Sequence, residues 1–404
     1  MVTCGVDPCR ERFSVSFVEN MVEFDYQEYE NSPQGFEQFV ERLKPLNSSA
    51  SVCIEGYGDF GKQLAMHLKG KNIRVYEINP KMSKRLKESI TEHKTDHIDA
   101  FSCSLFPYIR NDLKELTLDM GIEALRNLCR LHLKISKQVV RLKNQLHAAL
   151  NQSFGPVYKR FFSDLSATSM QFYVHYASYE EIDEASVSDI HTVLKKGGSC
   201  MYKGNYGAKR VAHIKEIVSH IHYHPLRAFA EMQSEVIKSY AQMLLIAIEQ
   251  EKKAKKSIET YVKRMFPHYK RYFTDIKGVT ALQFARLVSE IKDINNFRND
   301  ACLASYSGQS PRLHQSAGSK KTKPKRDYNR YLAYVIHMIC CSNITKGRRF
   351  HAEYTRMKGK YSRKLRAMKN IKRKMVRILY FKLKAYMSDL KQKEPTQEAI
   401  INVT

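Results

Sequence analysis

Among the nine cysteines (positions 4, 9, 53, 103, 129, 200, 302, 340 and 341) there is no C-x-x-C pair and no zinc-type spacing. A disulfide framework and a zinc ribbon are therefore not expected; the cysteines read as reduced, mostly buried thiols of a cytoplasmic protein. No run of 18 apolar residues and no signal peptide is visible, so neither a membrane span nor export is expected. Acidic residues are scarce at one end. Residues 301–404 hold 5 Asp+Glu against 25 Lys+Arg, a balance of +20, whereas residues 1–100 hold 16 against 13, a balance of −3. The net charge of +27 is thus concentrated away from a near-neutral first segment. Counterion release makes such a surface bind DNA or RNA without sequence preference. An anionic membrane is the rival partner, but aromatics interrupt the basic stretches instead of segregating from them.

With 404 residues the chain has room for two or three domains with cores of their own. Apolar runs at 2–6, 13–18, 51–54 and 73–76 predict strands, and 34–44 and 61–69 carry helical periodicity. Two or three strands before the first helix suggest a mixed sheet opened by a meander. From about 113 the chain turns helical. Leu125, Leu128, Leu131, Ile135, Val139, Leu142, Leu146 and Leu150 keep a spacing of three and four, and a second such stretch runs from Phe229 to Val262 through Met232, Val236, Tyr240, Leu244 and Ile248. Either two antiparallel helices pack within one subunit, or a seam joins two subunits. Ile276-Lys277-Gly278-Val279-Thr280, followed by an apolar helix to Ile291, resembles a helix-hairpin-helix turn, whose backbone N–H groups face a phosphate. A polar, basic loop is expected from Gln309 to Asn329, then an apolar helix from Tyr331 to Cys341. Residues 346–384, with Tyr354, Tyr361, Tyr380 and Phe381 among Lys and Arg, read as helix lying on nucleic acid.

Four carboxylates carry the most chemistry. Asp7 closes the apolar run from Met1 to Val6, and Glu55 closes Ser51-Val52-Cys53-Ile54. Asp96 and Asp99 sit three apart in Lys94-Thr95-Asp96-His97-Ile98-Asp99-Ala100, which places both on one helical face. Two strand-end acids facing two helix acids form an oxygen-donor site for Mg²⁺ or Mn²⁺. Such crowding raises each acid's pKa unless a cation neutralises it. The duller reading is four surface acids among 41. A competing motif is Gly56-Tyr57-Gly58-Asp59-Phe60-Gly61 with Glu77 some 20 residues on, the layout of a dinucleotide-binding fingerprint. Its strand lies mid-domain, however, and Glu55 would turn its charge on the pyrophosphate; the same glycines suit a sharp turn that keeps Glu55 open. Histidines 213, 220, 222 and 224 read as a polar helix end before Pro225 more readily than as a metal site.

These residues together resemble the DEDD-type transposases of bacterial insertion sequences, relatives of the Piv/MooV DNA invertases, some of which are guided by a structured bridge RNA. Gly5-Val6-Asp7, Ile54-Glu55 and Lys94 to Ala100 look like the family's three acidic motifs. Ile276 to Thr280 and Tyr306-Ser307-Gly308-Gln309-Ser310-Pro311 look like its second characteristic region. There the family carries a nucleophilic serine in a Ser-Gly context, which corresponds to Ser316 in His314-Gln315-Ser316-Ala317-Gly318. Ala317 departs from the usual Gly and leaves Ser319 as a substitute. Asp327-Tyr328 replaces the usual Gly before Asn329.

The resemblance implies an α/β + α architecture: an RNase H-like (RuvC-like) domain over 1–112, a helical, coiled-coil middle over 113–265, a mostly α-helical transposase domain over 266–345 and a basic helical tail over 346–404. It implies a DNA recombinase that cuts and rejoins strands through a covalent serine–DNA intermediate, with Mg²⁺ or Mn²⁺ on Asp7, Glu55, Asp96 and Asp99. Lys320, Lys321, Lys323, Lys325, Arg326 and Arg330 would hold the DNA. The expected partners are donor and target DNA, a guide RNA and further copies of the chain in a dimer or tetramer, in the bacterial cytoplasm at the nucleoid. The alternatives are a metal-dependent endonuclease or junction resolvase using the acids alone, and a non-catalytic nucleic-acid-binding protein.

Overall fold

The computed structural model describes all residues except 47–49, 57, 59, 94, 114, 117–118, 198–204, 222–226, 311, 317–318, 324–326, 361–363 and 394–404. For 205–206, 227, 312–316, 319–323, 364 and 391–393 it describes the backbone alone. The chain divides into two compact units, Met1–Met120 and Gly121–Thr404.

The first unit opens with three antiparallel strands, β1 (Val2–Pro8), β2 (Arg12–Glu19) and β3 (Val22–Glu30). Helix α1 (Pro33–Leu43) then crosses to β4 (Ser51–Glu55), and α2 (Lys62–Gly70) leads to β5 (Arg74–Ile78). Helices α3 (Pro80–Ile90) and α4 (Asp96–Ser104) follow. The sheet order is β3-β2-β1-β4-β5, with β4 parallel to both β1 and β5. This is the RNase H-like arrangement, and it differs from the all-parallel sheet that a dinucleotide fingerprint requires. The central strands are buried on both faces, which explains their near-continuous apolar runs: Cys4, Val6, Val52 and Ile54 are inaccessible on one face, and Thr3 and Cys53 on the other. Helix α1 starts on the Ser32 side chain, which accepts from the Gly35 N–H, with Pro33 in the first turn. Its Phe36 and Phe39 pack on Phe13 of β2.

The second unit is built on two long helices, Met120–Phe154 and Arg227–Met265. They run antiparallel: Ser136 donates to Glu251, and Gln233 Nε2 donates to the Ala149 carbonyl at 3.3 Å. Leu142, Leu146 and Leu150 face Ile237, Ala241 and Leu244 in one core. At the other end Leu125 and Cys129 share a second core with Ile258, Val262, Phe284 and Leu332. The leucine seam is therefore buried inside one subunit, although Leu131 is exposed and Met232 and Val236 turn outward.

Two segments differ from their sequence reading. Where a basic loop was expected, residues Arg312–Ser316 (β6) pair with Ser319–Lys323 (β7) as an antiparallel hairpin. The final helix, Lys364–Lys393, expected to lie on nucleic acid, is part of the core: Ile371, Met375, Leu379, Tyr380 and Leu383 form one wall of it. Tyr380, read as a surface aromatic, is buried, and Phe381 beside it is exposed.

Candidate active site

The four acids converge, and small residues let them do so. Gly5, two residues before Asp7, lies directly under α4; a Cβ there would collide with the Ala100 carbonyl and the Ser104 amide. Without a side chain at Gly5 the helix backbone settles onto β1, an approach that Thr3 Oγ1 fastens by donating to the Ser104 carbonyl at 2.8 Å. The first turn of α4, which holds Asp96 and Asp99, is thereby brought beside the end of β1. Thr95 caps that turn by accepting from the Ile98 N–H at 3.2 Å, and the helix N-terminus favours both acids. His97 between them binds Glu23 at 2.8 Å and meets the Tyr26 ring edge-on, tying the turn to β3.

On the sheet, Val6 is the register partner of Ile54, so Asp7 and Glu55 follow side by side on neighbouring parallel strands. Gly56, just past Glu55, has φ of +45°, and a Cβ there would lie 2.7 Å from Pro80 Cγ. A left-handed residue pressed against α3 has to be glycine. This is the sharp turn proposed for these glycines; Tyr57 and Asp59 fall outside the described residues.

The crowding of these acids shifts their titration. Burial pushes the Asp7 carboxyl up to about 6, with Glu55, Asp99 and Asp96 each adding to the rise and Lys87 opposing it. Burial and Asp99 also raise Glu55, again against Lys87. Asp99 is buried, Asp7 and Glu55 are half-buried and Asp96 is exposed. Lys87, on α3, is the residue that sequence reasoning missed. Its Nζ lies 2.5 Å from Asp99 Oδ1 and 3.5 Å from Glu55 Oε2, with only 15% of its side chain exposed. Burial works against its charge, but the Asp99 bond and the Glu55 charge hold its pKa above the ordinary lysine value. Cys9 was missed as well: ligand atoms of Asp7, Cys9 and Asp96 lie within 4.8 Å of one another. Burial and the neighbouring acids raise the Cys9 thiol pKa, so it stays protonated. The quartet is thus asymmetric. Glu55 and Asp99 share Lys87, whereas Asp7 and Asp96 face each other with no lysine at ion-pair distance among the described residues. An acid-rich, half-buried oxygen set of this kind fits a hard divalent cation.

In the second unit Ser316 ends β6, and its backbone partner across the hairpin is Ser319. Lys320, Lys321 and Lys323 continue along β7; Lys325 and Arg326 lie outside the described residues. The base of this segment is tightly built. Asn329 caps the next helix, Arg330–Asn343, by accepting from the Leu332 N–H at 2.9 Å. Its Nδ2 donates to Glu290 Oε2 at 2.8 Å and to the Tyr306 hydroxyl at 3.0 Å, and its N–H donates to the Tyr306 carbonyl. Glu290, 2% exposed, also receives Arg130 in a two-pronged pair at 2.6 and 2.8 Å and Arg126 at 3.3 Å. Burial would raise its pKa, but those bonds and charges outweigh it and hold the carboxyl below the usual range. Gly308, at φ of +73°, lets the Tyr328 ring lie where a Cβ would be, 2.5 Å from its Cγ. Asn329, at one end of the hairpin segment, thus bonds both the buried Glu290 carboxylate and Tyr306 at the other end, and Arg330 is exposed at the start of the helix. The histidine cluster is only partly described: His213 pairs with Glu216 at 3.7 Å and His220 bonds the Glu216 carbonyl, while His222 and His224 lie outside the described residues.

The first unit thus has an RNase H-like sheet with an acidic centre at the ends of β1 and β4, the architecture of an enzyme that processes polynucleotides. Residues 4–155 match the transposase family model for DEDD transposases of the IS110 type, and residues 270–355 match the model for the transposase IS116/IS110/IS902 family. Together these regions span more than half of the chain, which belongs to this family of transposases. It is an enzyme of DNA transposition or recombination. Among solved structures, T. thermophilus RuvC in complex with a Holliday junction substrate is similar at 16% identity, covering 29% of this chain and 99% of that one, with a TM-score of 0.23. A second Thermus thermophilus RuvC structure is similar at 14% identity over 29% and 100%, also at 0.23. No curated protein matches the chain. Among the described residues no helix is long and apolar enough to cross a membrane.

Proposed function

We propose that this transposase cuts and rejoins DNA with Ser316 as the nucleophile and Asp7, Glu55, Asp96 and Asp99 as the holders of Mg²⁺ or Mn²⁺. The observation that carries the acidic half is the rise of Asp7 to about 6 beside its three acid neighbours, an unfavourable charge density that a cation relieves. Bound there, a divalent cation supplies positive charge to a phosphodiester and acidity to a hydroxyl group. The chain's own residues supply the rest. Lys87 fixes Glu55 and Asp99 in place, the capped turn of α4 fixes Asp96, and the Glu290 clamp fixes the root of the Ser316 hairpin. The lysines of β7 and Arg330 hold the phosphate backbone.

In the transfer step the Ser316 oxygen forms a bond to phosphorus, and the bond from phosphorus to the leaving strand oxygen breaks. The serine proton passes to that leaving oxygen by way of the acidic centre. Attack by a strand hydroxyl on the serine–DNA ester reverses the step and frees the serine, so no external energy source is needed. The acids and the serine belong to different units, and this reading requires them to meet, within one chain or between two copies. An outward apolar stripe on the second long helix (Phe229, Met232, Val236, Met243 and Ile246, all exposed) favours assembly with a second copy. The basic surface and the family resemblance support a guide RNA as a further partner.

The test is adduct trapping. Wild-type protein incubated with donor and target DNA and its co-purifying RNA should yield a denaturation-resistant protein–DNA species. Ser316→Ala should abolish it while Ser319→Ala retains it; the reverse pattern moves the nucleophile to Ser319. Cleavage by Ser316→Ala and Ser319→Ala alike, with no adduct from wild type, would establish hydrolysis by the acids alone.

A further inference from the structure

A cavity of about 1000 Å³ in the second unit lies away from the hairpin segment in sequence, between the end of the second long helix, the short 3₁₀ turn Tyr269–Phe273 and the start of the helix Ala281–Ile291. We propose that it is a DNA-backbone docking site, additional to the acidic centre and to the basic hairpin. Three independent features of its wall converge on a phosphodiester.

The first is charge. Lys263, Lys270, Arg271 and Lys277 line the cavity and are exposed, and none has a carboxylate at ion-pair distance among the described residues. The contrast lies close by: Asp275 is held by both Arg349 and Lys382, at 2.7 Å for the latter. The nearby acid is thus already neutralised, and among the described residues Glu259 is the one carboxylate on the cavity wall. Four unneutralised cations around one concavity repel one another and gain most from a polyanion.

The second is a rigid backbone turn. Gly278 sits at φ of +84° and packs where a Cβ would lie 2.6 Å from Ser342 Oγ. Asn343 grips the turn from both sides: its Oδ1 accepts from the Lys277 N–H at 3.2 Å, and its Nδ2 donates to the Lys277 carbonyl at 2.7 Å. Thr280 caps the following helix, taking the Gln283 N–H on its hydroxyl and the Phe284 N–H on its carbonyl. Lys277 and Gly278 form the centre of this held turn, which leads directly into the N-terminal end of the helix Ala281–Ile291, where backbone N–H groups favour an anion.

The third is Tyr269. It forms part of the cavity wall, is only 5% exposed, and its ring stacks on Phe284 with centroids 4.2 Å apart. Its hydroxyl is buried with no hydrogen-bond partner among the described residues. A buried donor without an acceptor is uncommon and points to a group that the folded chain does not itself supply. Backbone donors, a tyrosine hydroxyl and unpaired cations are the groups that contact phosphate oxygens. The occupant is DNA because the family acts on DNA, and to that extent the inference rests on the proposed function.

The test measures binding without chemistry. Full-length protein is titrated with a short DNA duplex, and separately with an RNA hairpin, over a range of salt concentrations. Lys270→Ala/Arg271→Ala should bind duplex roughly tenfold more weakly at about 0.1 M salt, with a salt slope shallower by about two. The control pair Lys252→Ala/Lys256→Ala, which removes the same charge from exposed positions on the long helix, should change both far less. If the first variant does not fold, Lys263→Ala/Lys277→Ala reads the same site. Equal losses in test and control pairs would overturn the site, reducing it to net charge. A loss confined to the RNA hairpin would overturn the assignment to DNA. A wild-type protein that binds no duplex at all would instead sink the recombinase reading on which the assignment rests.

Discussion

Replacing Lys87 by Met tests whether the acidic quartet is a cation site. The ammonium touches Asp99 at 2.5 Å and Glu55 at 3.5 Å, and the side chains are 15%, 8% and 13% exposed. Removing one member of so buried a group leaves its partners uncompensated, at a cost of about 3 kcal/mol. For a unit of this size that lowers the melting temperature by roughly 10 °C in chelator. Methionine keeps the length of the stem, so the loss reflects charge more than packing. A divalent cation should then do what the lysine did: Mg²⁺ or Mn²⁺ should raise the melting temperature of Lys87→Met by more than that of wild type, since binding to the folded state alone stabilises by about 2.7 kcal/mol at a hundredfold excess over Kd. The sign with pH follows from Asp7. Its carboxyl, raised to about 6 in the folded state, binds a proton there that the unfolded chain has already lost. Metal-free stability therefore falls as pH rises toward 6, and the deficit of Lys87→Met shrinks when the pH is lowered again. Thermal melts with and without metal, at several pH values, check all three statements. A variant that melts like wild type in chelator refutes the compensating role of Lys87. A destabilised variant that no divalent cation rescues refutes the metal site itself.

Two further substitutions probe the framework of the site. Gly5→Ala places a methyl against the Ala100 carbonyl and the Ser104 amide, both backbone atoms that cannot yield; it should cost about 1–3 kcal/mol and weaken metal binding by moving Asp99 away from Asp7, as calorimetric metal titration would show. Unchanged metal affinity would mean that α4 need not touch β1. Glu290→Ala strands Arg130, Arg126 and Asn329 around an empty carboxylate position and should destabilise the second unit by about 3 kcal/mol. Because the carboxyl of Glu290 is held below its usual value, its contribution is present above about pH 4.5 and is lost as the pH falls through its folded value. The wild-type acid unfolding curve should therefore show a component that the variant lacks.

The parts of the site that were legible in the sequence are those that local chain geometry determines. Asp7 and Glu55 end apolar strands, Asp96 and Asp99 share a helical face, and a parallel register next to a capped helix turn brings them together. Lys87 was invisible for the opposite reason. It is one of several lysines on a basic helix, and only the packing of α3 on α4 selects it. The hairpin was missed because its strands, Arg-Leu-His-Gln-Ser and Ser-Lys-Lys-Thr-Lys, have no apolar face to produce a period of two. The leucine seam shows the limit from the other side: periodicity marks a buried face, but not whether the same chain or a second copy buries it. On the second long helix Ile237, Ala241 and Leu244 turn inward to the chain's own core, whereas Met232, Val236 and Ile246 turn outward and are exposed. The motif Tyr306-Ser307-Gly308-Gln309 with Asn329 acquires its physical meaning only in three dimensions. Gly308 makes room for Tyr328 and Asn329 reaches the buried Glu290, so these residues build the root of the hairpin that bears Ser316. A family motif can thus act by anchoring the segment that carries the proposed nucleophile, and substitutions there should alter stability before they alter chemistry.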